Sequence, residues 1–303
     1  MDNTYYNTLA HNIYQLKEAG EVIRALQGSG IPVIVLKGAA LLETVHPDPG
    51  TRPMADIDLL VDPSNLKKSE EVLRGLNFSL VPTGELHYIK REGSLFTQID
   101  LHWDIWYLKE LKKIWQSAIK AKVGGVETMI MSPEDAIIYT VAHSTVHHGT
   151  FNLVWADDVS RLISHYNEKI NWAHFIEKVT SYNLQVPIFY FFSRLKDLNK
   201  DLPIPPYVIK RLTPPFSKRL EAMVFTSVLN NPPMDDIGHV LRLLIEKGLY
   251  RKLKLLVSFL FPSPSFLKRR YNISNNYKAC LYYLIRPFSI IINTSKLLFN
   301  LSR

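Results

Sequence analysis

Cysteine is almost missing: Cys280 is the only one in 303 residues. One thiol excludes an intramolecular disulfide framework and any multi-cysteine zinc or iron–sulfur site, and a reducing cytoplasm is the compartment expected. Long apolar runs are missing too. The nearest approach to the ~20 residues of a spanning helix runs from Ala279 to Leu301, and Arg286, Pro287, Asn293 and Lys296 interrupt it. The N-terminus, Met1-Asp2-Asn3-Thr4-Tyr5-Tyr6, lacks the basic patch and apolar core of a signal peptide, so no export signal is expected. Acid is absent from one end: no Asp or Glu follows Glu246, while ten Lys or Arg lie between Tyr250 and Arg303.

The net charge of +8 is therefore uneven. Of 36 basic residues the tail takes ten, leaving 26 for the rest of the chain against all 28 acids. A basic, aromatic-rich tail of this kind suits an anionic membrane surface or a nucleic-acid backbone. The competing reading is that its apolar faces pack on the body and its Lys/Arg face water. Peripheral attachment at the inner membrane face is the corresponding expectation for location.

Hydrophobic content of 47% and charged content of 21% are those of a globular protein. The length suggests two packed lobes, since single cores stop growing near ~250–300 residues. The first half alternates strand and helix patterns and the second is nearly all helical, an α+β arrangement. Tyr5 to Leu26 reads as an amphipathic helix ended by Gly28-Ser29-Gly30. Strands are expected at 31–36, 56–61, 78–81, 87–91, 96–102 and 126–131, with a hairpin turning at Glu92-Gly93. Ser132-Pro133-Glu134-Asp135 is a helix start, with a hydroxyl cap, proline at the first position and acid in the first turn. Helix breaks are expected at Asn183, Pro203–Pro206, Pro214-Pro215 and Pro232-Pro233. Three segments follow: a core at 1–131, a helical lobe at 132–249, and a basic tail at 250–303 with helices near 253–261 and 279–298.

The sharpest chemical feature is Asp56-Ile57-Asp58 in an apolar strand. Residues two apart on a strand share a face, so the two carboxylates lie side by side. Burying like charges is costly unless something positive compensates, and a pair of divalent ions clamping a phosphoryl group would do so. A solvated turn or a salt bridge is the alternative. Asp100, flanked by Ile99 and Leu101, has the character of a third ligand. Upstream, Leu36-Lys37-Gly38-Ala39-Ala40 reads as a strand-to-helix turn whose amides suit phosphate oxygens, with Lys37 and Arg52 as nearby charges.

This order of motifs, Ile34 to Leu41, then Arg52 and Asp56-Ile57-Asp58-Leu59-Leu60-Val61, then Ile99-Asp100-Leu101-His102-Trp103, resembles a family of uncharacterised bacterial nucleotidyltransferases in the DNA polymerase beta-like superfamily. The resemblance extends through His143 to Gly149 and Leu153 to Asp158, and weakly to Phe261-Pro262-Ser263-Pro264. It implies a mixed β-sheet flanked by helices, with a mostly α-helical lobe closing over the nucleotide. It also implies Mg2+, or Mn2+, on Asp56, Asp58 and Asp100, Asp100 helping to deprotonate an acceptor hydroxyl. A nucleoside triphosphate (NTP) would be held by Lys37, Gly38, Ala39 and Arg52, and the acceptor could be a sugar, small molecule, protein or RNA. The superfamily usually has serine or glycine where this chain has Ala39, so backbone amides and Lys37 must supply the phosphate grip.

His143 and His147 are four apart and share a helix face. With no glutamate after His143 and no third ligand evident, the pattern predicts helix packing or hydrogen bonding rather than zinc. If His147 acts, it is expected to face the nucleotide or acceptor. Asp157-Asp158 reads as a cap or a partner of Arg161, and Cys280 as a packed side chain.

Overall fold

The computed structural model describes residues 3–81, 86–93, 95–230 and 237–262, with a few single positions beyond. The chain divides into two compact units, Met1–Ala136 and Ile137–Arg303.

The first unit is built on a seven-stranded mixed sheet. Its elements in chain order are α1 (Asn3–Gly28), β1 (Val33–Val35), α2 (Lys37–Thr44), β2 (Ile57–Val61), α3 (Leu66–Gly75), β3 (Ser79–Leu80), β4 (His87–Glu92), β5 (Leu95–His102), α4 (Leu111–Ser117), β6 (Ile119–Val123) and β7 (Val126–Ile130). Strand order is β3-β4-β5-β2-β1-β7-β6. The centre holds the two parallel pairs, β2 with β5 and β1 with β7, while β1 and β2 run antiparallel.

Leu16, Ala19, Val22, Ile23 and Leu26 recur at helical spacing on α1. They pack with Leu73 of α3 against Val33, Val35, Ile57, Leu59, Val61, Ile99 and Leu101 of the central strands. Strand alternation then sends Asp58, Asp100 and His102 to the opposite face. The β4–β5 hairpin turns where the sequence predicts, with Glu92 opposite Leu95. β6 is absent from the predicted strands. Ile-Lys-Ala-Lys-Val is short and half polar, and its exposed Lys120 and Lys122 mark a sheet edge. It joins β7 through Gly124 and Gly125, whose φ angles of +56° and +77° suit a two-residue hairpin.

The second unit is helical, as expected. Helix α5 (Pro133–Ala142) passes from the first unit into the second, and a single π turn, His143–His147, follows. Then come α6 (Leu153–Tyr166), α7 (Trp172–Tyr182), α8 (Gln185–Leu198), α9 (Pro206–Leu212), α10 (Arg219–Asn230), α11 (Ile237–Ile245) and α12 (Leu249–Leu260). Phe175 and Phe192 stack at 5.7 Å between α7 and α8. Asn183 ends α7 in the left-handed conformation and donates from Nδ2 to the Ile245 carbonyl at 2.7 Å. Of the predicted breaks, Pro232-Pro233 lies outside the described residues, as do Cys280 and the helix expected at 279–298. Among described residues, no helix is long and apolar enough to cross a membrane.

Candidate active site

The site is assembled on β2 and β5. Their parallel register sets Asp58 opposite Asp100 and Leu60 opposite His102. On β5 the half-buried Gln98, Asp100 and His102 alternate with the buried Thr97, Ile99 and Leu101. Asp56 lies one residue before β2, two from Asp58. Carboxylate oxygens of Asp56, Asp58 and Asp100 all come within 4.8 Å of one another. This is the constellation expected from the spacing, and the side chains of Asp58 and Asp100 are only 1% and 12% exposed.

One oxygen of Asp58 is crowded with donors. Lys37 Nζ donates to Oδ1 at 2.9 Å, and His102 Nε2 lies 2.7 Å from the same atom. The other oxygen, Oδ2, is buried with no hydrogen-bond partner. Asp100 Oδ1 is held by the ring of His87 and by Gln98 Nε2, which donates at 3.0 Å. Lys37 reaches β2 from an unusual backbone: its φ of +41° is left-handed, at the turn between β1 and α2. That turn is pinned by the Leu36 amide, which donates to the Asp58 carbonyl at 2.9 Å.

Charge is distributed unequally over the cluster. Burial, then the neighbouring Asp58 and Asp100 carboxylates, push Asp56 up to about 7, with Lys37 pulling weakly the other way. Burial also works against ionised Asp58, but Lys37 and the His102 bond outweigh it and hold this carboxyl well below the usual range. Lys37 in turn is held charged: burial lowers it, and the charges of Asp58 and Tyr107 more than compensate. Three carboxylates against one ammonium, with a buried carboxylate oxygen lacking any donor, form a donor set suited to a hard divalent cation.

The residues expected to grip phosphate divide into two groups. Gly38 and Ala39 form the first turn of α2, whose N-cap Leu36 offers no side-chain cap. A Cβ on Gly38 would come 2.9 Å from Arg52 Nη1 and 3.0 Å from Met54 Cγ, so glycine here admits the buried Arg52 guanidinium. Arg52 Nη1 also donates to the Pro53 carbonyl at 3.2 Å. Ala39 is fully buried in the core, which leaves only its backbone for a ligand. Lys37, expected on the phosphates, is on Asp58. His147 belongs to the second unit, on the π turn.

His87 and Gln98 have no distinctive motif of their own, and His102 enters the sequence reading only as a neighbour of Asp100 in Ile99-Asp100-Leu101-His102-Trp103, with no role. Their signal is parity: Gln98, Asp100 and His102 are two apart on one strand. A two-residue turn after Glu92 then puts His87 opposite Asp100.

Residues 1–198 match the family model described as "Uncharacterised nucleotidyltransferase". The chain belongs to this family. The expectation of an uncharacterised nucleotidyltransferase family, drawn from the Leu-Lys-Gly and Asp-x-Asp motifs, is thereby met. Among solved structures, it is similar to an antigenic nucleotidyltransferase-like protein from Paracoccidioides brasiliensis, at 15% identity and a TM-score of 0.44, over 65% of this chain and 93% of that one. It is also similar to a tRNA-processing enzyme in an apo form, at 9% identity and a TM-score of 0.25, over 88% and 86% of the two chains. Comparison with curated proteins finds no match.

Proposed function

We propose that the protein moves a nucleoside monophosphate from an NTP to an acceptor hydroxyl and releases pyrophosphate. The observation that carries this reading is the carboxylate cluster, in which Asp58 keeps one buried oxygen without a donor beside two further acids. Asp56, Asp58 and Asp100 would hold Mg2+ or Mn2+, and the ion when bound would offset charge on the attacking and leaving oxygens.

The chain's own residues supply the rest. His87 and Gln98 fix Asp100, which on this reading takes the proton of the acceptor hydroxyl. As that proton leaves, the hydroxyl oxygen bonds to the α-phosphorus. The bond to the bridging oxygen breaks, and pyrophosphate departs with its electron pair. His102 and Lys37 hold Asp58 ionised throughout. The amides of Gly38 and Ala39, with Arg52 behind them, make the electropositive side of the site for the triphosphate. The acceptor hydroxyl belongs to a sugar, a small molecule, a protein or an RNA end, and nothing in the carboxylate geometry prefers one.

The test is calorimetric binding of each of the four ribonucleoside triphosphates, with Mg2+ and then with EDTA, to the wild type and to Asp56→Asn/Asp100→Asn. Metal-dependent binding by the wild type that the variant loses is expected, followed by transfer of α-labelled nucleotide. No binding by folded wild type overturns the reading.

A second role, attachment to an anionic surface, is supported by α12. Leu249, Tyr250, Leu253 and Val257 are exposed there among Arg251, Lys252 and Lys254. On this reading the protein would sit peripherally at the inner membrane face.

A further inference from the structure

A second group of potential metal ligands lies on the π turn of the helical unit: His143, His147 and His148. The sequence spacing suggests a pair only, because five residues along an α-helix a side chain has turned about 140° from the first. The π turn changes that. The His148 amide donates to the His143 carbonyl at 3.1 Å, a hydrogen bond spanning five residues. The wider turn brings His148 round to the face that His143 and His147 share.

The three rings converge. His143 and His147 stack at 5.1 Å with 12° between their planes, and His148 meets them edge-on at 4.5 and 4.7 Å. The Nε2 atoms of His143 and His148 are 3.0 Å apart, and one nitrogen of each of the three rings lies within 4.8 Å of the others. Metal–nitrogen bonds of ~2.0–2.1 Å place tetrahedral ligand nitrogens roughly 3.3 Å apart, so small ring rotations complete the geometry. His148 is exposed and the other two are half-buried, which leaves an ion access.

The surroundings hold these rings in place. Trp155 of α6 stacks on His148 at 5.1 Å and meets His143 edge-on at 5.0 Å. Ser144 Oγ donates to the Thr150 carbonyl at 2.6 Å and accepts from the Asn152 amide at 3.4 Å, clipping the turn to the start of α6. On α11, a Cβ at Gly238 would come 2.6 Å from the His147 carbonyl oxygen, so that helix lies directly against the turn.

We propose that His143, His147 and His148 form a binding site for a borderline divalent transition ion, zinc being the reference case, with a coordination position left for water or substrate. Neutral imidazoles select this class, whereas carboxylates select Mg2+. The two sites are therefore separable by chemistry. The competing account is hydrogen bonding and ring packing among these side chains with no bound ion.

The experiment is titration of the full chain with Zn2+ in saturating Mg2+, followed by calorimetry, with Co2+ absorption as a second readout. One equivalent of Zn2+ on the wild type and on Asp56→Asn/Asp100→Asn is expected, with visible Co2+ bands of histidine ligation. His148→Gln, at an exposed position, should keep the fold by circular dichroism and weaken Zn2+ binding about 100-fold or more. His143→Gln/His147→Gln should abolish it. No Zn2+ binding by the wild type overturns the proposal. So does binding that His148→Gln leaves unchanged, or binding lost only when the carboxylates are replaced.

Discussion

At the scale of single residues, Asp58 is both a candidate ligand and the counter-ion of Lys37, a side chain that is itself 13% exposed. Removing one partner of a buried pair costs roughly 3–5 kcal/mol, because the other charge stays in place. Asp58→Ala should therefore lower stability by about that amount, whereas Asp58→Asn, which keeps an acceptor for Lys37 and His102, should lose less. Urea unfolding of the two variants separates them, and equal losses would contradict the pairing. Asp56 behaves oppositely. Its carboxyl is raised from the ordinary 3.8 to about 7 in the fold, so its contribution to stability is complete below the ordinary value and is lost as pH rises through about 7. In EDTA, the wild type should lose melting temperature between about pH 4 and pH 7 relative to Asp56→Asn, with little further change above, and Mg2+ should remove the difference. A wild type that tracks Asp56→Asn at every pH would argue against the crowded cluster.

At the scale of elements, two glycines make contrasting demands. A Cβ on Gly20 of α1 would lie 2.2 Å from the Gly124 carbonyl oxygen in the β6–β7 turn, a backbone atom with no room to give. Gly20→Ala should destabilise the fold by about 1–3 kcal/mol. Gly38→Ala meets the flexible end of Arg52 instead, so it should cost less stability and more NTP affinity. Thermal melts beside nucleotide titrations will tell these apart. The same elements show what was legible in the sequence. Asp-x-Asp in an apolar strand and the turn at Glu92-Gly93 are local signals, and both held because period-two alternation and hairpin geometry are set within a few residues. The π turn was not legible. A helical pattern is read at 3.6 residues per turn, and one inserted residue shifts every later side chain. β6 was hidden because its two lysines make a sheet edge look like a loop. The Lys37–Asp58 pair was hidden because it depends on a left-handed residue and on β1 and β2 being neighbours, which spacing along the chain does not encode.

At the scale of the molecule, charge separates into a nearly neutral body and a tail of ten cations without an acid. Such a tail gains about 1 kcal/mol per Lys/Arg near an anionic leaflet, and salt screens it. The full chain should bind phosphatidylserine vesicles with an affinity that falls steeply with ionic strength. A chain ending at Gly248 should lose that binding while keeping metal-dependent NTP binding. Vesicle sedimentation checks the first part and calorimetry the second. Retained vesicle binding by the shortened chain would remove the tail from consideration.

The pairing of β2 with β5 also has a kinetic side. Asp58 and Asp100 meet across parallel strands joined by a crossover through α3, β3 and β4, a contact between residues far apart in sequence that closes only after the intervening chain is ordered. Until β5 docks, Asp100 is apart from Asp56 and Asp58, and the three-carboxylate set that would hold a cation is incomplete. Mg2+ should therefore leave the refolding rate of this unit nearly unchanged and act on its unfolding rate, as expected for interactions absent from the folding transition state.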